Sequence, residues 1–194
     1  MPPIPLVLAS TSPHRRLLLE RLGLPFSCVA PGVDETRSVR EPVTALVPRL
    51  SRAKAEAVAA RHPGALIIGS DQAAEREGEI LGKPGDHLTA MAQLRGSSGK
   101  YLKFHTGLCL LDTRDGHRHE HVDVTRVIFR SLTDTEIERY LQAERPYECA
   151  GSFKSEGLGI SLFEGIESDD PSALVGLPLI VLCRFLRECG VTLP

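Results

Sequence analysis

The sequence has no excess of positive charge and no long hydrophobic run, and each absence excludes a class of protein. Its 23 basic and 25 acidic side chains give a net charge of −2 and a pI of about 6.4, whereas a protein that binds nucleic-acid polymers carries a basic patch. The longest apolar run, residues 174–183, contains Gly176 and Pro178 and is too short to cross a bilayer. We therefore expect neither a nucleic-acid polymer nor a membrane as a partner.

The sequence also lacks paired cysteines. Its five cysteines are scattered and form no C-x-x-C pair, and their odd number is typical of reduced, mostly buried thiols in a cytosol. The seven histidines show no zinc-ligand spacing. Met1 is followed by prolines and only a few apolar residues, so we expect no signal peptide. These features predict a cytoplasmic protein.

What is present predicts one α/β domain over residues 1–194. A hydrophobic content of 42% is enough for a sizeable core. Short apolar strands alternate with helical patterns, which is typical of α/β proteins. Residues 101–112 and 121–130 predict long strands joined by a polar turn, and residues 75–81 predict a hairpin. The sheet should therefore be mixed, with a long antiparallel pair.

The chain is organised around residues 6–23, which predict a strand, a tight turn and a helix. Ser12 is a suitable N-cap, and Pro13 suits the first helical position. His14 and Arg15 would then lie at a helix N-terminus, where free N–H groups and the helix dipole favour an anion such as phosphate. An ordinary solvated first turn also explains this pattern, and for such residues it is the commoner case.

Two acidic residues follow predicted strands. Residues 65–70 predict a strand that ends at Asp71, and residues 26–29 predict a strand that leads to Glu35. Ligands of open α/β sheets bind outside the carboxyl ends of strands, and two carboxylates there would suit Mg²⁺. A loop aspartate that makes a turn is the more common explanation of Asp71.

Two lysines are candidates for the same chemistry. Lys54 lies in a predicted helix over residues 45–61, beside its apolar face, and we expect Pro48 to break this helix or delay its start. Lys83 lies in a tight Gly-Lys-Pro turn. Most lysines are solvated surface residues, so neither position alone indicates a site. The Gly/Ser stretch 96–99 is better explained as an ordinary turn than as a phosphate loop.

Seven short motifs together resemble the Maf family of nucleoside-triphosphate pyrophosphatases. Each motif is weak alone, but they occur in this order along most of the chain. They are Leu-Ala-Ser-Thr-Ser-Pro-His-Arg-Arg (8–16), Val-Asp-Glu-Thr (33–36), Arg-Ala-Lys-Ala (52–55), Gly-Ser-Asp-Gln (69–72), Gly-Lys-Pro (82–84), Ala-Gly-Ser-Phe-Lys-Ser-Glu-Gly-Leu-Gly (150–159) and Leu-Val-Gly-Leu-Pro-Leu (174–179).

The resemblance implies a fold and a reaction. The implied fold is an elongated mixed β-sheet flanked by helices with a central nucleotide cleft, as in Maf and ITPase-like proteins. The implied reaction is hydrolysis of a nucleoside triphosphate to the monophosphate and pyrophosphate, dependent on a divalent cation (Mg²⁺ or Mn²⁺). The resemblance further implies a homodimer.

The resemblance also implies roles for individual residues. Asp71 matches the family's proposed catalytic base, and Glu35 matches an acid near the metal, so both are the implied metal ligands. Four further residues match positions that line the phosphate cleft: Ser12, Arg15, Lys54 and Lys83.

Three positions distinguish branches of the family. Gln72 and Glu156 are similar to the branch that acts on 7-methyl-GTP, whereas the branch acting on dTTP and UTP has Thr and Gln there. A carboxylate suits the two donors on guanine's Watson–Crick edge and the positive charge that N7 methylation adds. His14 departs from the 7-methyl-GTP branch, which usually has Trp at this position. The departure concerns stacking on the base and not the hydrolysis.

Two alternatives stay open beside hydrolysis of 7-methyl-GTP. One is the same reaction on another canonical or modified nucleotide, and the other is a nucleotide-binding regulator of cell division. The presence of Asp71, Glu35 and both lysines favours an enzyme, because binding alone would not require an acid beside the phosphates.

Overall fold

The computed structural model describes residues 4–193, so Met1, Pro2, Pro3 and Pro194 lie outside the described residues. Seven strands and five α-helices occur within residues 4–193, and this mixed α/β architecture confirms the predicted fold class. The strands are β1 (Leu6–Leu8), β2 (Ser27–Cys28), β3 (Leu66–Arg76), β4 (Glu79–Leu81), β5 (Tyr101–Asp112), β6 (Arg118–Phe129) and β7 (Phe163–Glu167). The helices are α1 (Pro13–Glu20), α2 (Val43–Ala59), α3 (His87–Ser97), α4 (Asp134–Glu144) and α5 (Leu179–Glu188).

The strands hydrogen-bond in the order β2-β1-β3-β5-β6-β7, with β4 paired to β3. β1 is parallel to both β2 and β3, whereas the β3–β4 and β6–β7 pairs are antiparallel. The expected end of the third strand at Ser70 is wrong, because β3 continues to Arg76 and pairs there with β4. β1 pairs with β3 only as far as Ile68, so Asp71 still lies beyond the end of the parallel pairing.

The described residues form two compact units, of which the first contains the chain up to Gln72, residues Thr106–Asp123 and the chain from Asp170 onward. Alternate strand residues in this unit face two apolar layers. On one side, Leu8 and Ile68 pack with residues of α1 and α5, and on the other, Val7 and Ile67 pack with α2. Each fully buried side chain of this size stabilises the fold by about 1.5–3 kcal/mol.

The second unit contains Ala73–His105 and Val124–Asp169. Its core includes four edge-to-face phenylalanine pairs with ring centroids 4.8 to 5.6 Å apart, formed by Phe104, Phe129, Phe153 and Phe163. α4 begins with the predicted capping box, in which the Thr133 side chain accepts from the backbone of Glu136 and the Glu136 side chain accepts from the backbone of Thr133.

Helix α2 begins at Val43 and continues through Pro48, so the expected break or late start at Pro48 is wrong. A proline inside a helix removes one backbone hydrogen bond and costs about 3 kcal/mol. Leu46, Val47 and Leu50 on either side of Pro48 are buried. Their packing offsets the cost and keeps the helix continuous, because tertiary burial provides most of a helix's stability.

All five cysteines lie in the described part of the chain and are free thiols, as expected. The expectation that most are buried is wrong, because Cys109 alone among them is buried and Cys28 is exposed on β2. Burial raises the pKa of the Cys109 thiol to about 12. No helix within residues 4–193 combines the length and hydropathy needed to cross a membrane.

Candidate active site

Lys54 joins two of the predicted site acids in the first unit. Its Nζ lies 2.7 Å from Asp71 Oδ1 and 2.8 Å from Glu35 Oε1. Lys54 is 5% exposed and Asp71 is 7% exposed, whereas Glu35 is exposed. An ammonium buried to this degree requires paired charges, and the two carboxylates supply them. The structure therefore brings together three residues that are far apart in the sequence.

Helix α2 carries Lys54 close to β3 because the contact between them has little side-chain bulk. A Cβ on Gly69 would lie 2.8 Å from the backbone nitrogen of Ala55, closer than real contacts allow. Ser51, one turn before Lys54, accepts the Asp71 N–H at 3.0 Å and donates to the Val47 carbonyl at 2.8 Å. The Ser51 hydroxyl therefore serves as hydrogen-bond acceptor for the Asp71 backbone, which lies beyond the last residue of β3 that pairs with β1.

Arg15 lies at the start of α1, as predicted. Ser12 is the N-cap of this helix and accepts the Arg15 N–H at 3.4 Å, while Pro13 occupies the first helical position. The Arg15 Nε donates to the carbonyl of Gly176 at 2.8 Å. Burial lowers the pKa of Arg15, and the nearby charges of Asp71 and Glu35 act in the opposite direction. Arg15 therefore belongs to the same electrostatic group as Lys54.

Gln72 follows Asp71 on β3, and its side-chain amide nitrogen is hydrogen-bonded to other residues of the protein. The Nε2 atom lies 2.9 Å from the Thr106 hydroxyl and 3.0 Å from each of the carbonyls of Ala173 and Leu174. An amide nitrogen has two hydrogens, so these acceptors use its donor capacity. The oxygen Oε1 is the part of the Gln72 amide that is left to accept from a ligand. His14 is half-buried in the first turn of α1.

Lys83 lies in the second unit, in the loop between β4 and α3. Its side chain is 66% exposed and forms a 3.7 Å ion pair with Glu148, which is also exposed. The Gly85 N–H donates to the Tyr147 carbonyl at 2.9 Å, which holds the loop against the chain just before the glycine-rich segment. The structure leaves the Lys83 ammonium accessible to solvent.

Glu156 also lies in the second unit, in the glycine-rich segment of residues 150–159. Glu156 is exposed, and the Ser155 hydroxyl donates to its carboxylate at 3.2 Å. The segment is attached to α4, because Glu144 accepts the Leu158 N–H at 2.8 Å and forms an ion pair with Lys154 at 3.2 Å. These contacts hold the backbone on both sides of Glu156.

The predicted site residues thus divide between the two units. The first unit holds Ser12, His14, Arg15, Glu35, Lys54, Asp71 and Gln72, and the second holds Lys83 and Glu156. The sequence reasoning missed Ser51, although it lies three residues before Lys54 and so on the same helix face. It also missed the Gly176 carbonyl as a partner of Arg15, because every residue has a backbone carbonyl and the sequence does not show which one is used.

The acids of the first unit are of the chemical type that binds a divalent cation. One oxygen of Glu35 and one of Asp71 each lie within 2.8 Å of Lys54 Nζ, so the two carboxylates are close together and the ammonium lies between them. Mg²⁺ and Mn²⁺ bind carboxylate oxygens, and Mg²⁺ takes few protein ligands. Across the described part of the chain, no group of three or more His, Cys, Asp and Glu side chains is arranged to hold a metal. A metal site with two protein ligands, Glu35 and Asp71, is compatible with their closeness and with the absence of a group of three ligands in the described residues.

Comparison with known proteins gives consistent matches over nearly the whole chain. The family model described as Maf-like protein matches residues 5–189. The 7-methyl-GTP pyrophosphatase of Hydrogenovibrio crunogenus is 52% identical, over 97% of this chain and 94% of its own length. The 7-methyl-GTP pyrophosphatase of Ralstonia nicotianae is 56% identical over 95% of each chain. Among solved structures, the Staphylococcus aureus Ham1 protein matches 64% of this chain and 71% of its own at 14% identity, with a TM-score of 0.45.

Proposed function

The chain belongs to the Maf family, and from this premise we propose that it hydrolyses 7-methyl-GTP to 7-methyl-GMP and pyrophosphate. The observation that carries the proposal is the buried Lys54, held between Asp71 and Glu35. An acid beside a buried cation is suited to a reaction that moves a proton while negative charge develops nearby. Relatives of more than half identity that are named for this activity support the substrate.

Asp71 is the proposed catalytic base. Hydrolysis between the α- and β-phosphates requires a water to attack the α-phosphorus and to lose a proton. Asp71 Oδ1 accepts from Lys54, and the second oxygen of the same carboxylate can accept the proton. Lys54 fixes the carboxylate, and the Ser51 hydroxyl fixes the backbone that carries it. One positioned acid–base group contributes about 10²–10⁴-fold in rate.

The positive groups have a separate role. The transition state of phosphoryl transfer carries charge on the equatorial and leaving oxygens, so catalysis depends on positioning and charge neutralisation. We propose that Arg15, Lys54 and Lys83 supply this charge, with Ser12 at the same helix N-terminus as Arg15. The Gly176 carbonyl takes the Nε hydrogen of Arg15, which leaves the terminal nitrogens of its guanidinium to face an anion.

A divalent cation is the proposed cofactor. Glu35 and Asp71 would hold it, and Mg²⁺ or Mn²⁺ would neutralise phosphate charge and lower the pKa of a bound water. Lys54 contacts both carboxylates in the structure, so we expect it to exchange one of these contacts for a substrate phosphate. The family's usual metal dependence supports this proposal.

We propose that Glu156 and Gln72 recognise the base. The Glu156 carboxylate can accept from guanine N1–H and the exocyclic amine, which is a charge-assisted pair. The Gln72 Oε1 is an additional acceptor, because its amide nitrogen is bonded to Thr106 and to residues 173 and 174. Methylation of N7 adds positive charge to the base and strengthens its attraction to a carboxylate.

One observation favours a second candidate, which is the same reaction on GTP or another purine nucleotide. The 7-methyl-GTP branch usually has Trp at position 14, and this chain has His14. Indole is the best aromatic face for a cation, so its replacement weakens the preference for the methylated, cationic purine. A nucleotide-binding regulator of cell division is the third possibility.

Three further properties are proposals that rest on the family resemblance. They are a homodimeric state, a cytoplasmic location and a single functional domain over residues 1–194. Light scattering on the purified chain tests the first of these directly.

Product release from a panel of nucleotides tests the proposed function. The purified chain would be incubated with 7-methyl-GTP, GTP, UTP or dTTP and with Mg²⁺ or Mn²⁺, and pyrophosphate and nucleoside monophosphate would be measured. We expect the highest kcat/KM on 7-methyl-GTP and no turnover without the cation. A higher value on GTP would support the second candidate. Release from none of the nucleotides, together with nucleotide binding, would support the regulator.

A further inference from the structure

Gln93 on helix α3 bridges two segments of the second unit through its side-chain amide. Nε2 donates to the Gly82 carbonyl at 3.1 Å, and Oε1 accepts from the Ser152 hydroxyl at 2.6 Å. Gly82 directly precedes Lys83, and Ser152 lies in the segment that carries Glu156. One side chain therefore joins the loop and the segment that hold the two proposed substrate residues of this unit.

The orientation of this amide is determined by its partners. The Gly82 carbonyl can only accept, so the nitrogen must face it and the oxygen must face the Ser152 hydroxyl. The backbone carbonyl of Gln93 is held as well, since it accepts from Arg76 Nη1 at 3.2 Å and from the Ser97 hydroxyl at 2.8 Å. The bridge is thus built on a fixed part of α3.

Ser152 has a conformation that points to the importance of its hydroxyl. It is fully buried, and its φ of +64° lies in the left-handed region, which non-glycine residues rarely adopt. Glycine would adopt this backbone without strain, so the hydroxyl is what serine adds here. A buried hydroxyl must be hydrogen-bonded, and the Gln93 oxygen is its acceptor.

The other contacts between these regions do not replace the bridge. The Gly85–Tyr147 backbone bond and the Lys83–Glu148 ion pair connect the Lys83 loop to residues before the glycine-rich segment. Lys83 and Glu148 are both exposed, and exposed ion pairs contribute little. Among the side-chain hydrogen bonds of the described residues, those of Gln93 join the Lys83 loop directly to the segment of residues 150–159.

We propose that Gln93 is a positioning residue that couples Lys83 to Glu156. The inference rests on the proposed function, in which Lys83 contacts the phosphates and Glu156 contacts the base. A substrate gains most from two contacts when both groups are held at the right separation before it binds, because less ordering is then required on binding. Without the bridge, the loop is still held at residues 147 and 148 and the segment is still held by α4, but the two no longer share a side chain that fixes their separation, so the two substrate contacts act independently.

A double-mutant cycle measures this coupling. Lys83→Ala, Glu156→Gln and the double variant would be compared by kcat/KM on 7-methyl-GTP, in the wild type and in a Gln93→Met background. In the wild type, we expect the double variant's loss to be about fivefold smaller than the product of the single losses, whereas in the Gln93→Met background it should equal that product within about twofold. If Gln93 has a purely structural role, Gln93→Met would lower all activities in proportion. The ratio of the double variant's loss to the product of the single losses would then be the same in both backgrounds.

Matched controls are available in the chain. Gln142→Met makes the same replacement on α4, where the amide bonds only to Glu138 in the described contacts (2.7 Å). Ser97→Ala removes a buried hydroxyl from α3 but leaves the Gln93 amide and the Arg76 contact to the Gln93 carbonyl in place. Both controls should keep the wild-type coupling. Ser152→Gly suits the left-handed backbone and removes the hydroxyl, so it should abolish the coupling as Gln93→Met does, and it serves if Gln93→Met fails to fold.

The possible outcomes distinguish the coupling role of Gln93 from the proposed substrate contacts of Lys83 and Glu156. If Lys83→Ala and Glu156→Gln each lower kcat/KM but the coupling persists in both the Gln93→Met and the Ser152→Gly backgrounds, the inference is overturned and the proposed function stands. If neither single variant lowers kcat/KM, the proposed roles of Lys83 and Glu156 fail, and the inference fails with them.

Discussion

At the scale of single residues, the proposed chemistry depends on one charged group in an unusually buried position. Lys54 is almost fully buried, and its ammonium is kept by the carboxylates of Asp71 and Glu35 rather than by water. Removing one partner of a buried pair is costly, because it leaves the other charge uncompensated. Variants at this site must therefore be tested for folding as well as for activity.

Asp71→Asn should abolish turnover while nucleotide still binds. The amide keeps the shape of the side chain and can still accept from Lys54, but it cannot accept a proton from water. A base acts on the transition state, so kcat should fall by about 10²–10⁴-fold with a much smaller change in Kd. Steady-state kinetics and calorimetric titration measure the two quantities, and a melting curve controls for folding. Wild-type turnover in this variant would remove Asp71 from the mechanism.

Glu156→Gln should lower kcat/KM for 7-methyl-GTP more than for UTP. A charge-assisted pair of hydrogen bonds to guanine becomes a mismatched amide contact, which costs about 1–3 kcal/mol. Glu156 is exposed, so the variant should fold normally. Equal losses on both nucleotides would mean that Glu156 supports the glycine-rich segment and does not read the base.

At the scale of secondary-structure elements, the site depends on how closely α2 approaches β3. Gly69 allows the approach, since its position has backbone atoms of Ser51 and Ala55 where a Cβ would lie. Lys54 on α2 reaches Asp71 on β3 only because these elements lie so close together. Packing at the helix–strand contact and geometry at the site are therefore linked.

Gly69→Ala should lower both stability and kcat. The new methyl group meets rigid backbone on α2, and overpacking of this kind typically costs about 1–3 kcal/mol. Gly165→Ala is the matched control, because the nearest atom to a Cβ on this strand glycine is Ile128 Cδ1 at 4.0 Å. Urea unfolding and initial rates should separate the two variants. Equal behaviour of the two would show that α2 can shift without affecting the site.

The elements also show what the sequence could predict. Local chemistry was sufficient for α1, where Ser12 and Pro13 determine the start, and for α4, where Thr133 and Glu136 form the capping box. Local chemistry was insufficient for α2, because the burial that outweighs Pro48 depends on the sheet.

The candidate site was predictable only in part. Its residues were assigned by motif, and the convergence of Glu35, Lys54 and Asp71 needed the structure. The bridge from Gln93 to Ser152 spans 59 positions and gave no sequence signal.

At the scale of the whole molecule, both units contain carboxylates whose pKa is lower in the folded state than in the unfolded state. Such groups stabilise the fold when the pH is above their ordinary pKa. A hydrogen bond from Arg49 lowers the pKa of Glu41 in the first unit to about 2. The backbone of Thr133 is the main cause that lowers the pKa of Glu136 in the second unit, also to about 2. A carboxyl with a depressed pKa in the folded state binds more protons when unfolded, so folding loses stability as the pH falls.

The Tm should therefore fall as the pH is lowered from about 5 to about 2. The stabilisation is present above the ordinary pKa of 4.5 for glutamate and is lost as the pH approaches the folded-state value of about 2. Glu136→Gln should reduce the slope of Tm against pH in this range, because it removes a carboxyl whose pKa is depressed in the folded state. A Tm that is constant between pH 5 and pH 2 would contradict this account.

In the proposed reaction, this chain directs water to the α-phosphorus of 7-methyl-GTP, and the fate of the water oxygen shows which phosphorus is attacked. Turnover in ¹⁸O-labelled water with Mg²⁺ or Mn²⁺ would be followed by mass spectrometry of both products. Attack at the α-phosphorus would leave one labelled oxygen in 7-methyl-GMP and none in pyrophosphate. Label in pyrophosphate, or release of orthophosphate, would place the attack at another phosphorus and contradict the account.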